Sequence, residues 1–387
     1  MSGLRVFILA GEPSGDKLGG ALMAGLKSLQ PDVAFEGIGG TQMQAQGLDS
    51  RFDMNELSVM GLAEVLPKYR HLKRRIRETA EAVVAMRPDV LITIDSPDFS
   101  LRVAKLVKAR SDIRTVHYVA PTVWAWRAGR AAKMARHVDH VLALFPFEPP
   151  LMQAAGMRCD FVGHPVVSEP VASQAEADGF RLRHGLGRKP LLMVLPGSRR
   201  GEVARLGERF GEAVKLLKTR NPDMQTVVPA AGPVADAVTE LTKPWPDTLV
   251  LDPRQGDYEA AMSEKRNAFA AADVALAASG TVSLELAASR TPMVIAYDMS
   301  PLSRLIISRM MLVDTVTLVN LVSETRTVPE FIGKACTPEA IAEGLEAVIA
   351  APQAQRAAMD TTMERLGRGG EDPGLRAARA VMEGLTS

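Results

Sequence analysis

Short apolar segments alternate with helix-patterned segments along almost the whole chain. Most of the apolar segments are continuously hydrophobic rather than alternating, which is typical of parallel strands covered on both faces. The helical patterns that connect them indicate βαβ units. The pattern predicts strands at residues 5–10, 34–38, 90–95, 115–119, 140–145, 160–162, 191–195, 226–229, 249–251, 274–277, 293–296 and 316–318.

These strands form two sets, separated by residues 163–189, a segment rich in Pro, Ser, Glu and Asp without a strong strand pattern. We therefore predict an α/β fold of two Rossmann-like, doubly wound domains, at residues 1–170 and 171–350. A charged helical segment follows at 351–387, and packing on the first domain is one arrangement open to it. Because α/β sheets bind ligands at the carboxyl ends of their strands, we expect the two domains to face a ligand cleft.

Composition narrows the class of protein. The 387 residues suffice for two complete cores, and 47% apolar with 24% charged residues is ordinary for a soluble globular protein. A net charge of +1 gives no global field for nucleic acid, so no such partner is predicted. The two cysteines, Cys159 and Cys336, predict neither a disulfide framework nor a zinc site, which fits the cytoplasm. No apolar run reaches the ~18 residues of a membrane helix, so membrane contact would be peripheral.

Two strand ends in the first domain could carry chemistry. Gly11-Glu-Pro-Ser-Gly-Asp16 follows the first strand, and its Glu12 and Ser14 are either part of a binding loop or simply a capped turn. Asp95 closes another apolar strand, and Asp98 follows in a Pro-containing turn. A carboxylate at such an edge can accept a proton from a substrate hydroxyl, and we favour Asp95 because strand ends hold side chains more rigidly than turns do. The alternative is that one or both cap the next helix.

Rare residues concentrate in the segment from His117 to Arg127. It contains Trp124 and Trp126, two of the three tryptophans of the chain. Trp and Arg together make a platform for sugars or flat groups, although a lone His or Trp is more often part of a core.

Two turns in the second domain have the chemistry of an anion site. Ser198 and Arg199 follow a strand, where backbone N–H groups and a guanidinium suit a diphosphate. Ser279-Gly280-Thr281 precedes a helix that carries Glu285, and Thr281 and Glu285 share a face of that helix. This pairs a phosphate site with a carboxylate for ribose hydroxyls. Ordinary capped turns are the alternative, and the Gly-Lys-Ser/Thr ending of a P-loop is absent.

Residues 61–77 combine an apolar stripe with basic flanks. The stripe is an interfacial membrane element if it is exposed and an ordinary surface helix if it faces the core. Pro67 is expected to break or start a helix there. The candidates for membrane contact are Leu62, Val65, Leu66, Tyr69, Arg70, Leu72, Lys73 and Arg74.

Taken together, the motifs resemble those of lipid-A-disaccharide synthases, bacterial glycosyltransferases of the GT-B class. The resemblance covers nearly the whole chain, and its most specific segments are Ile94-Asp-Ser-Pro-Asp-Phe99 and His117-Tyr-Val-Ala-Pro-Thr-Val-Trp-Ala-Trp126. It implies transfer of 2,3-diacylglucosamine from UDP to the 6-hydroxyl of 2,3-diacylglucosamine 1-phosphate, with inversion at the anomeric carbon. It also implies lipid A biosynthesis in a Gram-negative bacterium, at the inner face of the inner membrane.

The resemblance also suggests roles for the candidate residues. Asp95 would be the base, with Asp98 as the other candidate, while Ser198, Arg199 and the helix that follows Gly280 would stabilise the leaving UDP. Asn320, in a loop after a late strand, would contact the donor or its diphosphate. Glu12, Ser14, His117, Trp124, Trp126 and Arg127 would line the acceptor side. The sequence predicts no cofactor and no metal, and a homodimer is one assembly left open.

Two other functions remain open at this point. A UDP-GlcNAc 2-epimerase-like isomerase would share the fold and the UDP site, and a non-catalytic UDP-binding module would bind UDP without consuming a UDP-sugar.

Overall fold

A computed structural model of the chain describes residues 3–57, 65–126, 129–299 and 310–386, without the side chains of residues 65–69. Its residues form two compact units. Unit 1 comprises Met1–Ser168 and Leu366–Ser387, and unit 2 comprises Glu169–Arg365. Each unit contains one six-stranded sheet in which all neighbouring strands pair in parallel, so the predicted α/β class with two doubly wound sheets is confirmed.

Unit 1 has the strand order β2-β1-β3-β4-β5-β6. Its strands are β1 (Arg5–Ala10), β2 (Ala34–Ile38), β3 (Val90–Ile94), β4 (Arg114–Tyr118), β5 (His140–Ala143) and β6 (Arg158–Phe161). Its helices are α1 (Pro13–Leu29), α2 (Thr41–Ala45), α3 (Val65–Met86), α4 (Pro97–Lys108), α5 (Gly129–Met134), α6 (Pro149–Gln153) and, at the end of the chain, α15 (Pro373–Thr386). All five residues of β3 are buried, as a strand covered on both faces requires.

Unit 2 has the strand order β12-β11-β10-β7-β8-β9. Its strands are β7 (Leu191–Leu195), β8 (Gln225–Pro229), β9 (Thr248–Leu251), β10 (Val274–Ala277), β11 (Met293–Tyr297) and β12 (Glu330–Ile332). Its helices are α7 (Gln174–Arg183), α8 (Arg200–Arg220), α9 (Ala235–Thr242), α10 (Tyr258–Ala271), α11 (Val282–Ala288), α12 (Leu318–Ser323), α13 (Pro338–Ala350) and α14 (Gln353–Arg365). The third tryptophan of the chain, Trp245, belongs to the apolar core of this unit.

One predicted strand is wrong. Residues 316–318 do not pair with a sheet, because the side chain of Glu330 accepts the backbone N–H groups of Val316 and Thr317 at 3.0 and 2.6 Å. The apolar run instead starts α12, and the last strand of the sheet is β12, which the sequence analysis missed.

The strand orders fix where each sheet can bind a ligand. In unit 1 the chain passes from β1 to β2 on one side and then crosses to β3 on the other side of β1. In unit 2 it passes from β7 to β8 and β9 on one side and then crosses to β10 on the other side of β7. At such a switch point the loops leave in opposite directions and open a crevice at the carboxyl ends of the strands. The loops at 11–16 and 95–98 meet this condition in unit 1, as do those at 196–199 and 278–281 in unit 2.

The last helix belongs to unit 1. α15 packs against α1 through small residues, and a Cβ added to Gly25 would lie 2.7 Å from the carbonyl oxygen of Gly374. The predicted third segment began at residue 351, whereas the structure groups α14 with unit 2 and only the residues from Leu366 onward with unit 1. In the described part of the chain, no helix has the length and apolar content needed to span a bilayer.

Candidate functional site

The end of β3 in unit 1 has a strained backbone. Asp95 and Ser96 have φ values of +46° and +44°, in the left-handed region that non-glycine residues rarely adopt. Such residues cost about 1–3 kcal/mol each and cluster at functional sites. Tyr118 stabilises the turn by accepting the N–H of Asp95 at 3.0 Å, and the Ser96 carbonyl accepts the N–H of Phe99 at 3.0 Å. This turn places the partly exposed Asp95 side chain at the switch point of the sheet.

The loop after β1 lies directly against this turn. A Cβ on Gly11 would lie 2.6 Å from Oγ of Ser96, so only glycine allows this approach. Glu12, not Ser14, occupies the N-cap position of α1, and Ser14 lies inside the helix, exposed like Glu12. Ser14 therefore does not cap this helix. Asp16 is buried instead, and its carboxylate caps α2 by accepting three backbone N–H groups at 2.7–3.1 Å.

Asp98 occupies a different environment from Asp95. It lies in the first turn of α4 with its side chain 95% exposed, 3.9 Å from the guanidinium of Arg102. The structure thus separates the two candidate bases: Asp95 is fixed by a strained strand end, whereas Asp98 extends into solvent from a helix.

The loop after β4 carries the aromatic candidates. Trp124 is half-buried and contacts the ring of Phe147 edge-on at 5.3 Å, and Trp126 is also half-buried. His117 lies on β4 itself and is 2% exposed, with Nδ1 2.7 Å from the hydroxyl of Thr93. Burial lowers the pKa of His117 to about 4, so it is neutral near pH 7. The His117 side chain is therefore in the sheet interior and not on the predicted acceptor-side surface. Arg127 lies outside the described residues.

Glu148 supports this aromatic loop, and the sequence analysis missed it. Its carboxylate is 2% exposed and accepts the Trp124 indole N–H at 3.3 Å and the N–H groups of Leu144 and Phe145 at 3.1 and 3.0 Å. Burial raises its pKa to about 7, against the lowering effect of those three donors. The sequence signal was an acidic residue in the turn Phe145-Pro-Phe-Glu148, which directly follows a strand end.

The basic stretch is partly described. α3 runs through Pro67 at its third position, where a proline costs no helical hydrogen bond, so Pro67 lies in the first turn. Arg70, Lys73 and Arg74 are exposed, and Leu72 is half-buried. Leu62 and the side chains of Val65, Leu66 and Tyr69 lie outside the described residues. Membrane contact by this stretch stays a prediction.

Unit 2 contains a pocket of about 780 Å³ at the carboxyl edge of its sheet. The turns after β7, β8, β9 and β10 and one face of α10 line it. It brings together five of the predicted binding residues, Ser198, Arg199, Gly280, Thr281 and Glu285. It also contains residues that the sequence analysis did not select, among them Glu202, Pro229, Pro253, Arg254, Tyr258 and Lys265.

The backbone N–H groups of the turn after β7 already have a hydrogen-bond acceptor within the chain. Gly197, at a φ of +114°, lets the chain turn so that Glu202 accepts the N–H groups of Ser198 and Arg199 at 3.2 and 3.4 Å. These two N–H groups are therefore not open to a phosphate, contrary to the predicted backbone cradle. The Arg199 guanidinium is 81% exposed, and its one side-chain partner among the described residues is Glu202 at 3.5 Å, so it is free to reach an anion.

The turn after β10 supplies the other half of the pocket. Gly280 has a φ of +145°, and Thr281 follows as the N-cap of α11 without a side-chain cap of its own. Glu285, one turn into α11, pairs with Lys265 of α10 at 2.6 Å, with about a third of each side chain exposed. A carboxylate held by a lysine and open on one side can accept hydrogen bonds from vicinal hydroxyls.

Asn320 is not part of this pocket. It is 1% exposed in α12, and its amide bonds to Thr315 Oγ1 and to both backbone groups of Val328. It is in a helix rather than the predicted loop, and its contacts hold the chain that enters β12. Its contact with a donor stays a prediction.

Comparison with known proteins identifies the family. A profile of the family described as lipid-A-disaccharide synthetase matches residues 6–378. The chain is 66% identical to the lipid-A-disaccharide synthase of Ruegeria pomeroyi, over 99% of this chain and 96% of that one. The chain belongs to the lipid-A-disaccharide synthase family. The Rhodospirillum centenum synthase is 45% identical over 100% of this chain and 96% of its own. The protein is thus an enzyme, a UDP-sugar-dependent glycosyltransferase of lipid A biosynthesis.

Solved structures support the fold of this synthase family member. The UDP-GlcNAc 2-epimerase of Neisseria meningitidis, solved with UDP-GlcNAc, aligns with a TM-score of 0.60 over 99% of both chains at 11% identity. Anabaena HepE, solved with UDP and glucose, aligns with a TM-score of 0.59 over 100% of both chains at 14% identity. At these identities the likeness concerns the fold, which is the GT-B-like arrangement predicted from the sequence.

Proposed function

We propose that the protein transfers 2,3-diacylglucosamine from UDP to the 6-hydroxyl of 2,3-diacylglucosamine 1-phosphate, with inversion at the anomeric carbon. Family membership supports the reaction class. The observation that carries the donor side is the unit 2 pocket, where an exposed arginine, a helix start and a lysine-held carboxylate line one cavity.

In the donor half, each part of UDP has a chemically matched partner. Glu285 accepts the ribose hydroxyls, with Lys265 holding its carboxylate in place. The guanidinium of Arg199 and the turn at Gly280 and Thr281 bind the diphosphate, because the first N–H groups of a helix lack partners inside it. The uracil packs on the proline-rich wall formed by residues 229–233 and Pro253.

In the acceptor half, the strained turn of β3 supplies the base. The carboxylate of Asp95 takes the proton of the 6-hydroxyl while that oxygen attacks the anomeric carbon. The bond from this carbon to the UDP oxygen breaks in the same step, and UDP leaves with the electron pair. Attack from the face opposite the leaving group converts the α-linked donor to a β-1,6-linked disaccharide. Arg199 offsets the charge that develops on UDP, which is the kind of stabilisation that lowers such barriers most.

Trp124 and Trp126 would present an apolar and hydrogen-bonding platform to the acceptor sugar. Both substrates carry acyl chains, so the enzyme must reach them at a lipid surface. We assign this contact to the N-terminal part of α3, with the exposed Arg70, Lys73 and Arg74 directed to anionic headgroups. The proposed location is peripheral, on the cytoplasmic face of the inner membrane.

Measurement of UDP release tests the proposal. Purified protein is incubated in detergent micelles with both substrates, with either alone, or with UDP-GlcNAc alone. Release that requires both lipids supports the transfer, and a β-linked product by NMR supports inversion. Formation of UDP-ManNAc from UDP-GlcNAc alone would favour an epimerase instead. Binding of UDP without turnover in any mixture would favour a non-catalytic module.

A further inference from the structure

A second, smaller cavity lies in unit 1 beside the acceptor elements. It has a volume of about 130 Å³ and is lined by Leu101, Pro121, Arg130, Lys133, Met134 and His137. At about 30 Å³ per water, it has room for roughly four waters, which suits a small anion and excludes a nucleotide. Leu101 and Met134 form its apolar wall. Its polar side chains, those of Arg130, Lys133 and His137, are all nitrogen bases.

The charges at this cavity are not neutralised within the described part of the chain. Neither Arg130 nor Lys133 forms an ion pair with a described residue. The neighbouring acid Asp139 is already engaged by Lys108 at 2.8 Å and by Thr115. Burial lowers the pKa of His137 against the raising effect of a hydrogen bond to the Arg136 backbone, and the charges of Lys105 and Arg136 lower it further. The cavity therefore combines two cations that form no ion pair with a described residue and the edge of an imidazole ring.

This chemistry fits a phosphomonoester better than a carboxylate or a neutral sugar. A phosphomonoester carries close to two negative charges near neutral pH and three acceptor oxygens, which match a guanidinium and an ammonium. The apolar wall would exclude water from one side of the anion and strengthen these contacts.

The position of the cavity connects it to the acceptor. Leu101 is three residues after Asp98 on α4, so the two share a helix face, and α4 directly follows the Asp95 turn. Pro121 begins the loop that carries Trp124. We propose that Arg130 and Lys133 bind the phosphomonoester of the acceptor sugar and so select a 1-phosphorylated acceptor. The inference rests on the proposed function.

The test compares two acceptors in the UDP-release assay. The double variant Arg130→Gln/Lys133→Gln is expected to raise KM for 2,3-diacylglucosamine 1-phosphate by roughly tenfold to a hundredfold per charge-assisted hydrogen bond lost. Its KM for the acceptor without phosphate should stay within about twofold of wild type. Arg136→Gln is the matched control, because it removes one exposed cation next to the cavity without lining it. An equal loss for both acceptors, or no loss for either, would overturn the proposal.

Two binding measurements separate this inference from the proposed reaction. Glucosamine 1-phosphate is titrated into wild type and variant by calorimetry, which requires no turnover. Selective loss of its binding in the double variant supports the cavity even if no transfer is detected. Vesicles with phosphatidic acid, which also present a phosphomonoester, are tested by sedimentation. If the double variant loses vesicle binding but retains its affinity for glucosamine 1-phosphate, Arg130 and Lys133 bind a lipid headgroup instead, and the proposal is wrong.

Discussion

Replacing Glu148 with Gln should make unit 1 more stable at alkaline pH and less stable at acid pH. Burial raises the pKa of this carboxyl from 4.5 to about 7, a difference of about 2.5 pKa units. At ~1.4 kcal/mol per unit, this amounts to about 3 kcal/mol. The pKa of the Glu148 carboxyl is higher in the folded than in the unfolded state. The protonated carboxyl therefore contributes this stabilisation in full below about pH 4.5, and the contribution is lost as the pH rises through about 7.

The amide in Glu148→Gln does not titrate, so it avoids this loss. Its oxygen can still accept the N–H groups of Leu144 and Phe145, but its NH₂ then faces the Trp124 indole N–H, at a cost of about 1 kcal/mol. The variant should therefore be about 1 kcal/mol less stable than wild type at pH 4 and about 2 kcal/mol more stable at pH 8.5. The Cys159 thiol does not titrate between the two pH values, because burial raises its pKa to about 12.

Urea unfolding followed by far-UV circular dichroism at the two pH values measures this difference. Titrations shared by wild type and variant cancel in the comparison. Glu81→Gln, an exposed carboxylate on α3, is the control and should shift stability by the same small amount at both pH values. If Glu148→Gln also shows the same shift at pH 4 and pH 8.5, the carboxyl is not the buried, proton-binding group that the structure indicates.

Three further predictions concern the two halves of the reaction. Asp95→Asn should lower kcat about 10²- to 10⁴-fold with unchanged UDP affinity, and Asp98→Asn should have little effect; the reverse order in a UDP-release assay would transfer the role of base to Asp98. Arg199→Ala should weaken UDP binding about tenfold or more by calorimetry, while Arg200→Ala, its exposed neighbour outside the pocket, should not. Glu285→Gln should weaken binding of UDP more than that of 2′,3′-dideoxy-UDP, and equal losses for the two ligands would exclude a ribose contact.

The strand pattern predicted most of the fold because buried parallel strands leave a local signal. The continuous apolar runs at β1, β3, β7 and β10 are visible in the sequence without knowledge of their neighbours. The apolar run at 316–318 was ambiguous, because so short a run fits a strand or a buried helix turn equally well. The deciding contact comes from Glu330, more than ten residues away, and no local pattern contains it.

In the candidate site, too, local features were predictable from the sequence and contacts between distant residues were not. Glycine-rich turns at strand ends marked the positions of Arg199 and Gly280, because the turn chemistry is local. The partners that tune these groups were not predictable: Lys265 reaches Glu285 from another helix, and Glu148 reaches Trp124 across 24 residues. Internal capping by Glu202 was readable in principle, as an acidic residue three positions after Arg199.

The return of α15 to α1 has a consequence for biosynthesis. The ribosome synthesises the chain starting from its N-terminus, and domains generally fold as they emerge. Unit 2 is one continuous segment and can finish folding as soon as Arg365 has emerged. Unit 1, although its first residues precede unit 2, exposes the face of α1 around Gly25 until α15 has emerged. Unit 1 therefore starts to emerge before unit 2 but is completed after it, and a nonsense mutation between Arg365 and α15 would damage unit 1 rather than unit 2.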